Sequence, residues 1–544
     1  MGVRRTRLDG WALATLVAAL LVVGPLVGLP LSFVAGGGRS VTQFSGFLPD
    51  AVRNTALLLV GVGAGTLVLG TGLALLVSFC DFPGRAWIEW ALVLPLAVPG
   101  YVFTLFALGT LPAGGAAIRS PLGAIAIFTV VLYPYVYLLG RAAFLSQSQA
   151  LIEAPRGLGM SSTRAVLRVA VPLARPAILG GTALALMEAL ADFGTVNLLG
   201  VHTFTDAIYR VWFIAFDRQA AMQLAALLVS VTLTLLVLER LARGRARYHQ
   251  LAARGQAIAA ARLRGPAAVG AVAGPLALVG IVVIAPLAQL STWAVRSIRD
   301  GLLAPEFAVA ARNSLLLALM SAVLVGGVAL LLAYGLRGSR SRLTAGAVRV
   351  ATIGYGVPGS VVAVSVIVPL AWLDHRLDDA SNTVFGADPG LILTGTVIGL
   401  FAAYVVRFLA LAFQAVETSL LRIPQDLDEA ARGLGADRLE VLARVHVPLL
   451  RAGLATAALL VFTEVMKELP ATLLLRPLGG DTLAIAVWQA TSESLFRTAA
   501  LPALLIVLVG LLPVALMIRL SGRRPAAIEP SEGPEPQPLA ATTM

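Results

Sequence analysis

Residues Glu153 to Arg175 read EAPRGLGMSSTRAVLRVAVPLAR, and residues Glu429 to Arg451 read EAARGLGADRLEVLARVHVPLLR. Aligned without gaps, the two stretches agree at 12 of 23 positions. Each carries a Glu-Ala pair, a Gly six residues after the Glu, and a Pro nineteen residues after it: Glu153, Ala154, Gly159 and Pro172, then Glu429, Ala430, Gly435 and Pro448. The repetition extends outward. Val98-Pro99-Gly100 returns as Val357-Pro358-Gly359, Arg53-Asn54 as Arg312-Asn313, and Glu188 as Glu464 at the same offset as the long stretches. The chain is read as an internal duplication.

Composition says where such a duplicated chain lives. Of 544 residues 58% are hydrophobic and 13% charged, with a mean hydropathy of +0.87. A soluble domain needs about twice that charge to cover its surface, so disorder, collagen and disulfide scaffolds are excluded and a polytopic membrane protein remains. The net charge of +12 invites a nucleic-acid reading, but the basic residues lie between apolar runs instead of on one face, so no nucleic-acid partner is expected. Forty of the 41 basic residues are Arg, and Lys467 is the one Lys. Cys80 is the single cysteine, which excludes an intrachain disulfide and any Cys-based metal motif.

A helix needs about 20 apolar residues to cross the hydrocarbon, and twelve segments qualify. The first six lie at roughly 11–34, 55–79, 87–110, 122–140, 176–194 and 220–238, and the second six at roughly 266–290, 314–335, 347–371, 390–413, 452–472 and 500–518. The apolar run behind Arg4, Arg5 and Arg7 resembles a signal peptide but is too long, and is read as a retained first span. With the N-terminus inside, 29 of 41 basic residues fall on the inner side, which predicts both termini in the cytoplasm. Two six-span halves of one orientation are parallel repeats. The expected organisation is a first repeat over 1–238, a basic cytoplasmic linker over 239–265, a second repeat over 266–520 and a disordered cytoplasmic tail over 521–544. The fold class is all-α, about twelve transmembrane helices in two parallel six-helix repeats.

Both matched stretches fall between the fourth and fifth span of their repeat. A polar Glu-Ala-x-Arg helix, a Gly that permits a tight turn or close backbone approach, an amphipathic stretch (Ser162–Val169 or Arg438–Val445) and a Pro opening the next span suit a short helix-turn-helix outside the bilayer. Connecting helices with no docking role are the plain alternative, and the equal spacing in both halves weighs against it. Glu188 stands about 13 residues into its helix, ~20 Å deep at 1.5 Å per residue. Glu464 repeats it, and Asp192 and Glu468 follow four residues on in each half, which on a helix is the same face. A carboxylate facing lipid at that depth costs ~2.5–3.5 kcal/mol, so these four acids are expected to face the space between the halves. Such oxygen donors suit a hard cation, and burial against Arg or Lys467 suits them equally well. Asp374, His375, Asp378 and Asp379 are expected in a solvated outer loop. His202, His249 and His446 show no ligand spacing, and the Val-Pro-Gly triplets are expected to break the third span of each half.

The Glu-Ala-Ala…Gly…Leu-Pro pattern resembles that of ABC-importer permeases that work with a periplasmic binding protein, and two copies in one chain resemble a fused permease. Pro155 and Val171-Pro172 depart slightly from it in the first copy. Ala191–Thr195, Lys467–Thr472, Ile208–Trp212 and Leu474–Pro477 resemble the ferric-iron branch, while fused permeases for thiamine or other small solutes share the architecture. The resemblance implies that the two loops are coupling helices docking two copies of a cytoplasmic ATPase. It further implies a periplasmic or lipid-anchored binding protein that delivers the substrate, and alternating access in a bacterial inner membrane. ATP is then used by the partner, and this chain holds no cofactor. The chain has no G-x-x-x-x-G-K-[ST] loop and no nucleophile–base motif, so it is expected to be no enzyme. An ion-coupled secondary transporter of 6+6 parallel repeats is the rival reading from another class.

Overall fold

The structure, a computed structural model, describes residues 10–33, 46–243, 260–302, 305–339, 341–352, 354–386 and 390–521. Most of the expected linker (244–259), the expected tail (522–544) and the three N-terminal Arg lie outside these residues. The described chain is almost wholly helical. A two-residue parallel ladder, Cys80–Asp81 with Ala261–Arg262, is the one strand pairing among the described residues.

Among the described residues, ten helices are long and apolar enough to cross a membrane, or twelve if each of two sharply bent pairs is one span. Two helices outrun their apolar windows: Leu48–Phe79, with 32 residues, starts seven residues early, and Phe307–Gly338, also with 32, extends beyond its window at both ends. The expected break at Val98-Pro99-Gly100 is present, an 89° bend between Arg85–Ala97 and Gly100–Thr110. Its second copy shifts a boundary. Pro358 lacks an amide hydrogen and cannot continue the preceding helix, so the span expected at 347–371 divides into an amphipathic helix, Arg342–Ala351, and a long one, Gly359–Phe385.

That long helix corrects the outer loop. Asp374 is buried on it instead of solvated. Its carboxylate accepts from the backbone amides of Ile392, Leu393 and Thr394 at 3.1, 2.8 and 2.7 Å, fastening the returning segment in place of touching solvent or a partner.

In each half the same three helices pack together: Leu48–Phe79 against Pro121–Leu145 and Ser162–Ala191, and Phe307–Gly338 against Val397–Leu420 and Arg451–Met466. Gly70 permits close backbone approach in the first set, since a Cβ there would lie 2.8 Å from the Tyr133 carbonyl oxygen. The Asn repeat also finds its reason here. Asn54 Nδ2 donates to the His202 carbonyl at 3.0 Å, and Asn313 Nδ2 to the Gly479 and Asp481 carbonyls at 3.1 Å. Thr55 and Ser314, one residue on, accept from the amides of Phe204 and Leu483. Each half thus ties its second span to the entry of a short outer helix, Phe204–Phe213 or Leu483–Ser492. The first span crosses over: Gly10–Leu31 packs on Phe307–Gly338, Arg342–Ala351 and Gly359–Phe385, with Trp11 edge-on to Tyr334 at 5.1 Å.

Candidate functional site

The four acids singled out in the sequence line one cavity of about 100 Å³ between the halves. They reach it by a different route from the one their spacing implies. The helices end at Ala191 and Met466, before Asp192 and Glu468. Each acid therefore sits at a break and satisfies the amides that the break exposes. Asp192 Oδ1 accepts from the Thr195 amide at 2.7 Å and Oδ2 from Thr195 Oγ1 at 3.0 Å. Glu468 Oε1 accepts from the Ala471 amide at 2.9 Å. The same i+3 cap stands in both repeats, and short helices Gly194–Leu198 and Pro470–Leu475 follow.

Two cations share the wall. Arg407 Nε lies 3.1 Å from Glu468 Oε2, and Lys467 Nζ lies 2.9 Å from Glu464 Oε1. The Tyr101 hydroxyl, from the first half, donates to the Lys467 carbonyl at 3.4 Å. Arg407 and Lys467 both line the chamber. An Arg inside the apolar run Tyr404-Val-Val-Arg407-Phe-Leu was the signal for the first. Among the described residues, no three His, Cys, Asp or Glu side chains form a group able to hold a metal ion.

At the end away from the matched loops, Phe193, Tyr209 and Trp488 close ranks, with ring centroids 4.8 Å (Phe193–Tyr209), 5.8 Å (Phe193–Trp488) and 6.0 Å (Tyr209–Trp488) apart. Trp488 Nε1 donates to Asn197 Oδ1 at 3.0 Å, and Asn197 Nδ2 to Asp206 Oδ1 at 2.9 Å. Arg210 Nε and His202 Nδ1 hold Asp206 Oδ2 at 2.7 and 2.9 Å. Tyr209 and Trp488 also line a second cavity, with Arg476, Gln489 and Glu493, on the far side of this wall. Aromatic rings from both halves therefore stand between the acid chamber and this second cavity.

The matched loops have one backbone. Helices Ala150–Gly157 and Asp426–Gly433 each end in a glycine turn, with φ +88° at Gly159 and +89° at Gly435. Only glycine adopts that left-handed geometry without strain. Ser161 and Asp437 then cap the next helix in register, and one π-helical turn follows in each, Val166–Ala170 and Val441–His446. Pro172 and Pro448 stand just beyond, at the second position of the continuing helices. Between the paired glycines, Leu158 and Leu434 project almost fully exposed, at 89% and 90%. Sequence reasoning stopped at the glycines and missed these two exposed side chains.

The second loop carries an ionic brace. Arg337 donates through Nε and Nη2 to Asp428 at 3.0 and 3.2 Å, and through Nη1 to the Leu420 and Ile423 carbonyls at 3.0 Å. His446 Nε2 lies 2.9 Å from Asp428 Oδ1, and the Tyr334 hydroxyl donates to the Arg438 carbonyl at 2.8 Å. Burial on its own would raise the Asp428 carboxyl, but hydrogen bonding from Arg337 and the charges of His446 and Arg337 prevail and hold it below its ordinary value.

Residues 66–243 and 326–526 match the family of binding-protein-dependent transport system inner membrane components. The chain belongs to that family. The two matched segments, one in each half, make it a fused, all-α, multi-pass inner-membrane permease. It is 28% identical to the Fe(3+)-transport system permease protein FbpB 2 of Haemophilus influenzae over 92% of this chain and 97% of that one. It is 26% identical to the probable ABC transporter permease protein y4fN of Sinorhizobium fredii over 87% and 86%. Over 37% of the chain it is 25% identical to the molybdate/tungstate transport system permease protein WtpB of Thermococcus kodakarensis, covering 80% of that protein. These relatives are named as permease proteins, transport components of ABC systems with no catalysis of their own.

Proposed function

We propose that this permease is the membrane-spanning subunit of an ATP-driven importer of ferric iron. The observation that carries the reading is the chamber: four carboxylates, drawn from both repeats, on a cavity of about 100 Å³. Oxygen donors suit a hard cation, and sites for larger organic solutes run to ~300–1,000 Å³, which favours a single ion over thiamine. The Fe(3+)-transport relative matches nearly the whole chain. An oxyanion such as molybdate would seek Arg407 and Lys467, and both already face carboxylates.

In this reading two copies of a separate ATPase dock at Glu153–Gly159 and Glu429–Gly435, with Leu158 and Leu434 entering grooves on them. Both termini lie in the cytoplasm, as the distribution of Arg favours. A binding protein, periplasmic or lipid-anchored, delivers cargo to the vestibule beside Arg476 and Glu493. ATP closes the ATPase pair, the loops carry the movement to the halves, and the aromatic wall and the chamber open in alternation. A secondary transporter has no use for two matched docking loops.

The test is uptake of radiolabelled Fe³⁺ into proteoliposomes holding the permease, its ATPase and its loaded binding protein. ATP-dependent uptake that the double variant Glu188→Ala, Glu464→Ala removes is the expected result. Uptake of molybdate or thiamine in place of iron, or full iron uptake by the double variant, overturns the proposal.

A further inference from the structure

The chamber is built from a repeat, yet its charges are not repeated. From the first half it is lined by Glu188 and Asp192 and by no cation. From the second half it is lined by Glu464 and Glu468 and also by Arg407 and Lys467. The position of Lys467 belongs to Ala191 in the first repeat, and Ala191 also faces the cavity. Where Arg407 stands, the corresponding helix of the first half offers Val131 and Leu132. The second half is therefore formally neutral and the first carries two negative charges.

The two cations are not equivalent. Arg407 is a planar fork held along Glu468, which in turn caps a helix. Lys467 is the only lysine in a chain with 41 basic residues. It stands where the helix has just ended and meets Glu464 through one 2.9 Å contact on the end of a flexible stem. An ammonium is a compact charge that can leave and return, whereas a guanidinium is suited to staying.

We infer that Lys467 is a tethered counter-cation that sets which ions the chamber admits; this rests on the reading of the chamber as the path of a cationic cargo. Four carboxylates in a narrow space of low dielectric cannot stay ionised without compensation. In the empty chamber the Lys467 ammonium occupies Glu464, so no proton or monovalent ion is recruited there. A trivalent ion attracts the carboxylates about three times as strongly as the ammonium at equal distance and displaces it. A monovalent ion has no such advantage over the ammonium, so it is refused. Lys467 thereby acts as a positioning and selectivity residue, and as a seal against leak.

The first of two measurements needs neither cargo nor ATP. The assembled permease–ATPase complex is placed in liposomes under a potassium gradient and passive K⁺ flux is followed, with inhibition of Fe³⁺ uptake by Mn²⁺ measured in parallel. Lys467→Met is expected to raise K⁺ flux at least about tenfold, because the lost counter-charge exposes Glu464 to small cations, and to make iron uptake sensitive to Mn²⁺. Lys467→Arg keeps the seal, and the double variant Lys467→Met, Glu464→Gln restores low flux by removing the orphaned charge. Wild-type flux and Mn²⁺ insensitivity in Lys467→Met overturn the inference, as does a leak that Glu464→Gln fails to suppress. A structural brace would show neither the ion dependence nor the rescue. Should the importer prove to carry another cargo while this flux pattern holds, the reading of iron fails and the role of Lys467 as a seal stands.

Discussion

The loop around Gly159 and the loop around Gly435 have the same glycine turn and the same exposed leucine, and they differ in what lies behind them. Behind the second are Arg337, Asp428 and His446, joined in one ionic cluster. Counting by the repeat, Ser78, Ile152 and Ala170 take those three places in the first. The Ser78 hydroxyl is buried with no hydrogen-bond partner among the described residues, and the Ala170 carbonyl is held by Gln147 Nε2 at 3.0 Å. Duplication preserved the outward surface and let the support diverge. If the loops dock two copies of one partner, as proposed, that surface must stay alike on both, whereas each support needs only to suit its own half.

The largest effect expected is from the shared turn. Replacing Gly159 and Gly435 together with Val forces a β-branched residue into left-handed backbone, costing about 1–2 kcal/mol or more at each site. No atom lies within 4 Å of where either Cβ would sit, so the damage is to the turn and its docking and not to the packing. Transport and coupled ATPase activity are expected to vanish while membrane insertion, followed by protease protection, persists. Full transport in the double variant breaks the assignment of both loops.

Next come the leucines. Leu158→Asp and Leu434→Asp are each expected to weaken capture of the ATPase by about tenfold or more, as for an apolar anchor lost from an interface. Their equal exposure predicts equal losses in a pull-down. A loss confined to one of them shows that the loops dock differently.

The supports should separate the halves. Arg337→Ala leaves the half-buried Asp428 without its main partner, at a cost of about 1–3 kcal/mol, seen as a lower Tm in detergent. Ser78→Ala, at the matching position, should change stability by less than about 0.5 kcal/mol. Comparable shifts for the two would erase the distinction.

The smallest effect is on pH. Asp428 has its carboxyl held below the ordinary value of 3.8. The folded state therefore binds its proton less readily than the unfolded state, and the stability it gives is present in full above that ordinary value and is lost as pH falls through the folded one. Asp428→Asn should lower Tm at neutral pH, and the gap to wild type should close below about pH 4. A gap that is unchanged in acid removes the ionic account of the brace.

The spans, the duplication, the loops and the four acids were legible because each is a local property of the chain: an apolar run, a repeated string, a charge where none is cheap. The helix-face reasoning for Asp192 and Glu468 failed, although its destination was right. Both lie past a helix end, and the break itself turns them toward the chamber. Asp374 was misplaced for a similar reason. Three consecutive amides from a segment 18 to 20 residues away claim it, and no pattern near Asp374 announces them. Leu158 and Leu434 went unnoticed because an apolar residue in an apolar chain carries no signal until its exposure is known.

The sequence by itself determined the class of protein, the number of repeats and which acids are costly enough in a membrane to need a purpose. The tertiary structure decided which of those acids are already answered. Arg407 stands 61 residues from Glu468, and Arg337 stands 91 from Asp428. Which charge meets which depends on how separate helices pack and where each one ends, and neither is written in any local stretch of the chain. Electrostatic partnership falls steeply with a few ångströms of separation, so it belongs to the packing, while hydrophobic length belongs to the chain.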